Sequence, residues 1–76
     1  MADITHPLPK GTKVAFDYFS PEDEFFDPFH ITGRGIILNT EEKFYRLKLV
    51  DSNDEYFPPG QKLLIPYSAV LSVISN

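Results

Sequence analysis

The feature that most constrains the fold is an alternation of apolar and polar side chains that recurs in short segments. It is clearest in FYRLKLVD, residues 44–51, where Tyr45, Leu47 and Leu49 fall on one face of an extended chain. No window has the 3.6-residue periodicity of an amphipathic helix. The sequence therefore predicts an all-β domain with a 3₁₀ turn at residues 67–69, folded as a small antiparallel barrel or sandwich. The five predicted strands are residues 12–19, 30–39, 44–51, 61–66 and 70–74.

The stability of so small a domain must come from its large apolar side chains or from a partner subunit. The chain has 76 residues and no cysteine, so it can form neither a disulfide nor a cysteine-based zinc site. We expect one barrel domain, residues 11–76, after an extended N-terminal arm, residues 1–10, in which Pro7 and Pro9 lack a backbone donor. The apolar faces predict a core formed by Val14, Ile37, Leu47, Leu49, Leu63, Ile65 and Val73.

Charge and motifs narrow the classes of function. The net charge of −4 opposes a nucleic-acid backbone as the main partner. We see no secretion signal and no apolar run of membrane-spanning length, and we expect an acidic, cytoplasmic protein with no membrane partner. No nucleophile motif is present, and His6 and His30 have no neighbours at metal-ligand spacing, so we expect neither a metal nor a cofactor.

The acidic residues are concentrated in two predicted loops that also carry aromatic rings. Four of the eleven acids lie in the first loop and three in DSNDEYFPPG, residues 51–60. The rings of the first loop either fold back as a lid over the open end of a barrel or form an interface for a basic or Arg-rich partner. We predict that the loops of residues 19–29 and 51–60 share one surface through contacts between their rings. The candidate binding residues of this surface are Glu22, Asp23, Glu24, Phe25, Phe26, Phe29, Tyr56 and Phe57.

Three segments suggest a more specific architecture. VAFDY, residues 14–18, precedes the acidic triplet at residues 22–24, and GQKLLIP, residues 60–66, leads into the 3₁₀ turn. With the order of strands and loops, they resemble the ALYDY box, the acidic RT loop and the entry to the 3₁₀ turn of the SH3-like barrel superfamily. This resemblance covers roughly residues 11–75 and implies a five-stranded barrel with a peptide-binding groove. By position in the sequence, the counterparts of that family's groove residues are Phe16, Tyr18, Phe44 and Tyr67. Phe44 is nearest to the position of the family's groove tryptophan, and Tyr67 follows Pro66.

Two shorter resemblances suggest other functions on a similar barrel. IPYSAVLSVISN, residues 65–76, faintly resembles the end of type II dihydrofolate reductases, which are tetramers of SH3-like barrels with an active site between subunits. DPFHITG, residues 27–33, looks a little like part of the variable subunit of ferredoxin–thioredoxin reductase, which carries no cofactor and supports a catalytic partner.

Protein–protein interaction is the leading expectation for function. We expect a non-enzymatic binding module or accessory subunit that binds a protein or peptide, and homo-oligomerisation is a further expectation. An oligomeric enzyme with its active site between barrels is the alternative. An RNA-binding barrel ranks lower, because its basic residues are few and scattered in sequence. They are Lys13, Arg34, Arg46, Lys48 and Lys62.

Gly33 and Gly35 interrupt the second predicted strand. They are spaced by two residues and therefore lie on one face of it. We expect them at a bend or bulge where a side chain would clash, and replacement of either by valine should cost more than about 1 kcal/mol.

Overall fold

A computed structural model describes residues 4–21, 24 and 27–75, and in this part of the chain five strands form one antiparallel sheet. The strands and the 3₁₀ turn lie within two residues of their predicted positions, so the all-β prediction is confirmed. In chain order the elements are β1 (Lys13–Ser20), β2 (Phe29–Glu41), β3 (Phe44–Ser52), β4 (Lys62–Pro66), the 3₁₀ turn (Tyr67–Ala69) and β5 (Val70–Ser75).

The sheet is open, with the strand order β4-β3-β2-β1-β5. The antiparallel five-stranded architecture is therefore as predicted, whereas the closure expected of a barrel is not observed. Pro66, which has no backbone donor, ends β4, and the single 3₁₀ turn carries the chain to Val70, which pairs with Phe16 of β1. As a result β4 and β5 form the two edges of the sheet instead of pairing with each other.

The longest strand, β2, pairs with both β1 and β3, and it is irregular where the glycines lie. Its register against β3 shifts between Arg34 and Gly35, which confirms the predicted bulge. A Cβ atom on Gly33 would lie only 2.2 Å from the carbonyl oxygen of Asp51. On Gly35 it would lie 3.2 Å from the Cδ1 atom of Leu47, a flexible side-chain end. Gly33 therefore permits a close approach between the β2 and β3 backbones.

The core lies on the face of the sheet that carries the alternating apolar residues of β1, β2 and β3. Five of the seven predicted core residues are buried, and Leu63 is half-buried. Val73 is the exception, since it is 40% exposed on the edge strand β5. The buried apolar residues are Val14, Phe16, Ile31, Ile37, Tyr45, Leu47, Leu49, Ile65, Ala69 and Val70.

Residues 4–12 contain neither helix nor strand, and they pack against the sheet. Ile4 and Leu8 contact the core cluster. The N–H of Gly11 donates to the carbonyl of Ile37 at 2.7 Å, and the N–H of Ile37 donates to the carbonyl of Thr12 at 2.9 Å. These contacts fix the segment over β2. The described part of the chain holds no helix with the length and apolar character that a membrane crossing needs.

Candidate functional site

Three rings meet where β1, the start of β2 and the loop after β3 come together, and we call them the loop-end cluster: Tyr18, Phe29 and Phe57. Phe29 stacks on Phe57 with 5.6 Å between ring centroids and 29° between planes. Tyr18 meets Phe29 edge-on at 6.1 Å. All three side chains are half-buried and pack against the core. A contact between a ring of residues 19–29 and a ring of residues 51–60 is thus observed for Phe29 and Phe57, and the surface shared by the two loops stays a prediction.

The loop after β3 is held in shape by its own hydrogen bonds. The hydroxyl oxygen of Ser52 lies 2.9 Å from the carbonyl oxygen of Asp54 and 2.8 Å from that of Phe57, and it accepts the N–H of Asp54 at 3.2 Å. The N–H of Thr32 donates to the Asn53 side-chain oxygen at 3.0 Å, which ties the loop to β2. This path turns the Phe57 ring inward, whereas the neighbouring Tyr56 is 80% exposed.

The acids around this cluster differ in how far their charge is compensated. Asp51 accepts the Nε–H of Arg34 at 2.9 Å and also contacts its Nη2 atom, and this guanidinium holds the pKa of the Asp51 carboxyl below its usual range. Asp54 accepts only a backbone N–H, that of Tyr56 at 2.9 Å, among the contacts of the described residues. Glu55 is exposed. A depression of about 370 Å³ lies among them, lined by residues 51–55 and 57–59.

The other loop of the candidate site is described only in part. Glu24 and Asp27 are exposed, as is Phe19 at the end of β1. His30 beside it contacts Asp17 on the neighbouring strand and meets the Phe19 ring edge-on. The remaining candidate residues of this loop, Glu22, Asp23, Phe25 and Phe26, lie outside the described residues.

The four positions suggested by the SH3 resemblance are not brought together. Phe16 is 1% exposed, and its ring is part of the core because it shares the inward face of β1 with Val14. It therefore lines no surface groove. Tyr18 pairs with Ile31 near the start of β2, whereas Phe44 pairs with Glu41 at its end. Tyr67 lies near Phe44, and the two flank a separate depression of about 380 Å³.

Tyr67 belongs to a second group of rings, which we call the arm cluster: His6, Tyr45 and Tyr67. The Tyr67 centroid lies 4.7 Å from those of both His6 and Tyr45. The Tyr45 hydroxyl oxygen accepts the N–H of Leu8 at 2.7 Å and lies 2.5 Å from the His6 Nδ1 atom. Burial raises the pKa of the Tyr45 hydroxyl. The Tyr67 hydroxyl donates to the carbonyl of Glu42 in the β2–β3 turn at 2.9 Å.

Two of the basic residues considered for RNA binding form ion pairs with acidic residues. Arg34 pairs with Asp51, and Arg46 donates to Glu41 from Nη2 at 2.6 Å and from Nε at 3.1 Å. These contacts reduce the local positive charge available to a phosphate backbone. No group of three or more potential metal ligands converges within the residues described.

Comparisons of the chain with models of known protein families, with curated proteins and with solved structures gave no match. The candidate site is therefore defined by the geometry and chemistry of this chain alone.

Proposed function

We propose that this protein is a small, non-enzymatic interaction module that binds a basic segment of a partner protein through the loop-end cluster and the acids around it. The stack of Phe29 on Phe57 carries this proposal. It joins the two loops that hold seven of the eleven acidic residues. Phe57 lines the same depression as Asp54 and Glu55, and ring surface beside carboxylates suits arginine-rich segments.

The rings would supply the contact energy. Phe29 and Phe57 are half-buried, so one part of each side chain packs on the core while another part remains accessible. Tyr56 lies next to Phe57 in the chain and is almost fully exposed. A guanidinium can stack on such ring faces, and a desolvated contact of this kind contributes about 1–2 kcal/mol.

The acids would supply attraction and orientation. Asp54 and Glu55 line the depression beside Phe57, and Glu24 and Asp27 are exposed in the other loop. The net charge of −4 adds a longer-range attraction toward a cationic partner. Both effects weaken with salt, because mobile ions screen charges that are in contact with solvent.

For the fold, the proposal adds an SH3-like arrangement of the five strands in which the sheet remains open between β4 and β5. The strand order, the 3₁₀ turn between β4 and β5, and the long, bulged β2 support it. Binding in a peptide groove is not part of the proposal, because Phe16 is buried and because Tyr18 and Phe44 pair with β2 residues that are ten positions apart, Ile31 and Glu41 (41 − 31 = 10).

The test is fluorescence anisotropy with a labelled arginine-rich peptide as the probe. Phe57→Leu keeps an apolar side chain under the loop and leaves the net charge unchanged, but it removes the ring face. We expect its Kd to rise by about tenfold, which corresponds to about 1.4 kcal/mol. Phe44→Ala is the matched control, because it removes an exposed ring beside the arm cluster, and its Kd should remain that of the wild type.

Melting curves of both variants should show that they remain folded. Equal affinity of the wild type, Phe57→Leu and Phe44→Ala would mean that the probe responds to charge alone, and the proposed aromatic site would be wrong. An equal loss in both variants would contradict the location of the site.

A further inference from the structure

The edge strand β5 differs from most exposed edges of β-sheets. Such edges usually carry charged residues or proline, which discourage pairing with another chain. The opposite edge, β4, begins with Lys62 and ends with Pro66. In contrast, VLSVIS in β5 contains neither a charge nor a proline, and five of its six residues are exposed. The edge of β5 therefore lacks the charge and the proline of β4, and what disturbs its regularity is the pair of register shifts against β1.

Three large apolar side chains of β5 are on the surface. Leu71 is 62% exposed, Ile74 is 44% exposed and Val73 is 40% exposed. The register explains the first two, because β1 pairs with Val70, Ser72, Val73 and Ser75, and the shifts between these pairs leave Leu71 and Ile74 without a partner on β1. Polar residues would fit at Leu71, Val73 and Ile74 if these side chains stayed in contact with water. Their apolar character therefore indicates that a partner covers them.

We propose that β5 is a self-association edge, at which two copies of this chain pair antiparallel to form one continuous ten-stranded sheet. The pattern of apolar and polar side chains along β5 favours a second copy over an unrelated strand. Around Ser72, the segment VLSVI reads apolar, apolar, serine, apolar, apolar from either end. In a two-fold arrangement centred on Ser72, Leu71 lies opposite Val73 of the second copy, and the two Ser72 residues face each other.

Charge also favours this edge for contact between identical chains. Each copy carries a net charge of −4, so copies repel each other wherever their acids approach. None of the eleven acids lies in β5 or in the 3₁₀ turn before it. None of the residues of the loop-end cluster lies in β5. Self-association at β5 and binding of a basic segment at the loop-end cluster would therefore use different residues.

The first test is the molar mass in solution, measured by light scattering on a sizing column over a range of concentrations. The wild type should have the mass of two chains. Leu71→Lys should have the mass of one chain, because it places a charge opposite Val73 of the second copy and brings the two new lysines together as diagonal neighbours across the two-fold axis. Leu64→Lys introduces the same charge at an exposed leucine of the other edge, β4, and should keep the mass of two chains.

The second test addresses the register and uses the absence of cysteine from the chain. Ser72→Cys should form a disulfide between two chains under a mild oxidant, because residues opposite each other in an antiparallel pair have Cα atoms about 4.5–5.5 Å apart. Ser68→Cys, exposed in the 3₁₀ turn, is the matched control and should remain a single chain on a non-reducing gel.

A wild type that has the mass of one chain at every concentration would overturn the proposal, as would loss of the two-chain mass in Leu64→Lys but not in Leu71→Lys. A two-chain wild type without a Ser72→Cys disulfide would overturn the register centred on Ser72. Peptide binding that is unchanged in Leu71→Lys would separate this interface from the proposed binding site.

Discussion

The arm cluster and the loop-end cluster are two groups of three rings placed near opposite ends of β2, and they differ in what surrounds them. In the arm cluster, the Tyr45 and Tyr67 hydroxyls both have hydrogen-bond partners, and the Tyr45 ring is fully buried. In the loop-end cluster, ring contacts dominate, and the flanking polar groups are mainly acids of two loops. The first cluster joins the N-terminal segment to the sheet, and the second joins two loops.

This difference shows that a high density of aromatic residues does not by itself identify a binding surface. The arm cluster has its polar atoms paired within the chain, as expected of side chains that stabilise a fold. The loop-end cluster retains accessible ring area beside the carboxylates of Asp54 and Glu55, which, unlike Asp51, have no basic partner among the described contacts, as expected of a surface that binds. Mutations at the two clusters should therefore have different ratios of lost stability to lost binding.

The largest expected effect is that of Tyr45→Ala in the arm cluster. The ring is fully buried and contacts His6, Leu8 and Tyr67, so its removal leaves a cavity and should lower the free energy of unfolding by about 3–5 kcal/mol. Urea denaturation followed by circular dichroism measures this loss. A loss below about 1 kcal/mol would contradict the structural role of the arm cluster.

Tyr45→Phe is the control that separates the ring from its hydroxyl. It should cost only about 1 kcal/mol, for the lost hydrogen bonds to His6 and Leu8. Because burial raises the pKa of the Tyr45 hydroxyl above its ordinary value of 10.0, the neutral form is favoured in the folded state. This contribution is fully present below pH 10 and is lost as the pH rises through the folded-state pKa. Tyr45→Phe should lack this part of the alkaline loss of stability.

The next largest effect is expected for Gly33→Ala, which acts on the side of the loop-end cluster. The new Cβ atom would clash with the carbonyl oxygen of Asp51, and the backbones of β2 and β3 would have to separate just before the loop that carries Phe57. We expect a loss of more than about 2 kcal/mol. Amide chemical shifts should change most around Asn53 and least around Tyr45.

Gly35→Ala is the matched control for this change. The nearest atoms to its Cβ would include Cδ1 of Leu47 at 3.2 Å and the carbonyl oxygen of Lys48 at 3.3 Å, both more distant than the carbonyl oxygen of Asp51 is from a Cβ on Gly33. The variant should therefore lose less stability than Gly33→Ala. Equal melting temperatures of the two variants would contradict the close approach between Gly33 and Asp51.

Smaller effects than those of Tyr45→Ala and Gly33→Ala are expected for Phe29→Ala and Phe57→Ala, which are compared in a double-mutant cycle. Each half-buried ring should contribute about 1–2 kcal/mol to the free energy of unfolding, well below the value for Tyr45. The two changes should couple by about 0.5–1.5 kcal/mol, because the rings stack on each other. Losses as large as that of Tyr45→Ala would mean that these rings act as a lid over the core, the alternative considered from the sequence.

The strands could be predicted from the sequence because alternation and turn residues are local signals. The position of a strand within the sheet is not local, and this explains the error at Val73. Its pattern is that of a core residue, and it does pair with the buried Val14, but β5 is an edge strand with two register shifts. Barrel closure could not be inferred for the same reason, since it depends on pairing between β4 and β5.

For the candidate site, as for the fold, local patterns could be predicted from the sequence and contacts between distant residues could be predicted only in part. The contact between Phe29 and Phe57 followed from the shared composition of their loops. In β1, Phe16 lies two residues after Val14 and so on the same inward face, and this local spacing accounts for its burial, whereas the position suggested by the SH3 resemblance does not. The contact of His6 with Tyr45 joins residues 39 apart in the chain, and no periodic pattern indicates it.

The strand order also has a consequence for how the chain folds. The β2–β3 hairpin closes over a two-residue turn at residues 42–43, so it needs only local contacts, and hairpins of this kind form within about 1–10 μs. In contrast, β5 must find β1 across a large separation, since Val14 and Val73 are 59 residues apart (73 − 14 = 59). Closing so long a loop is entropically costly and slows folding. We therefore expect the β2–β3 hairpin to form early during synthesis. One edge of β1 should stay unpaired until β5 has been synthesised.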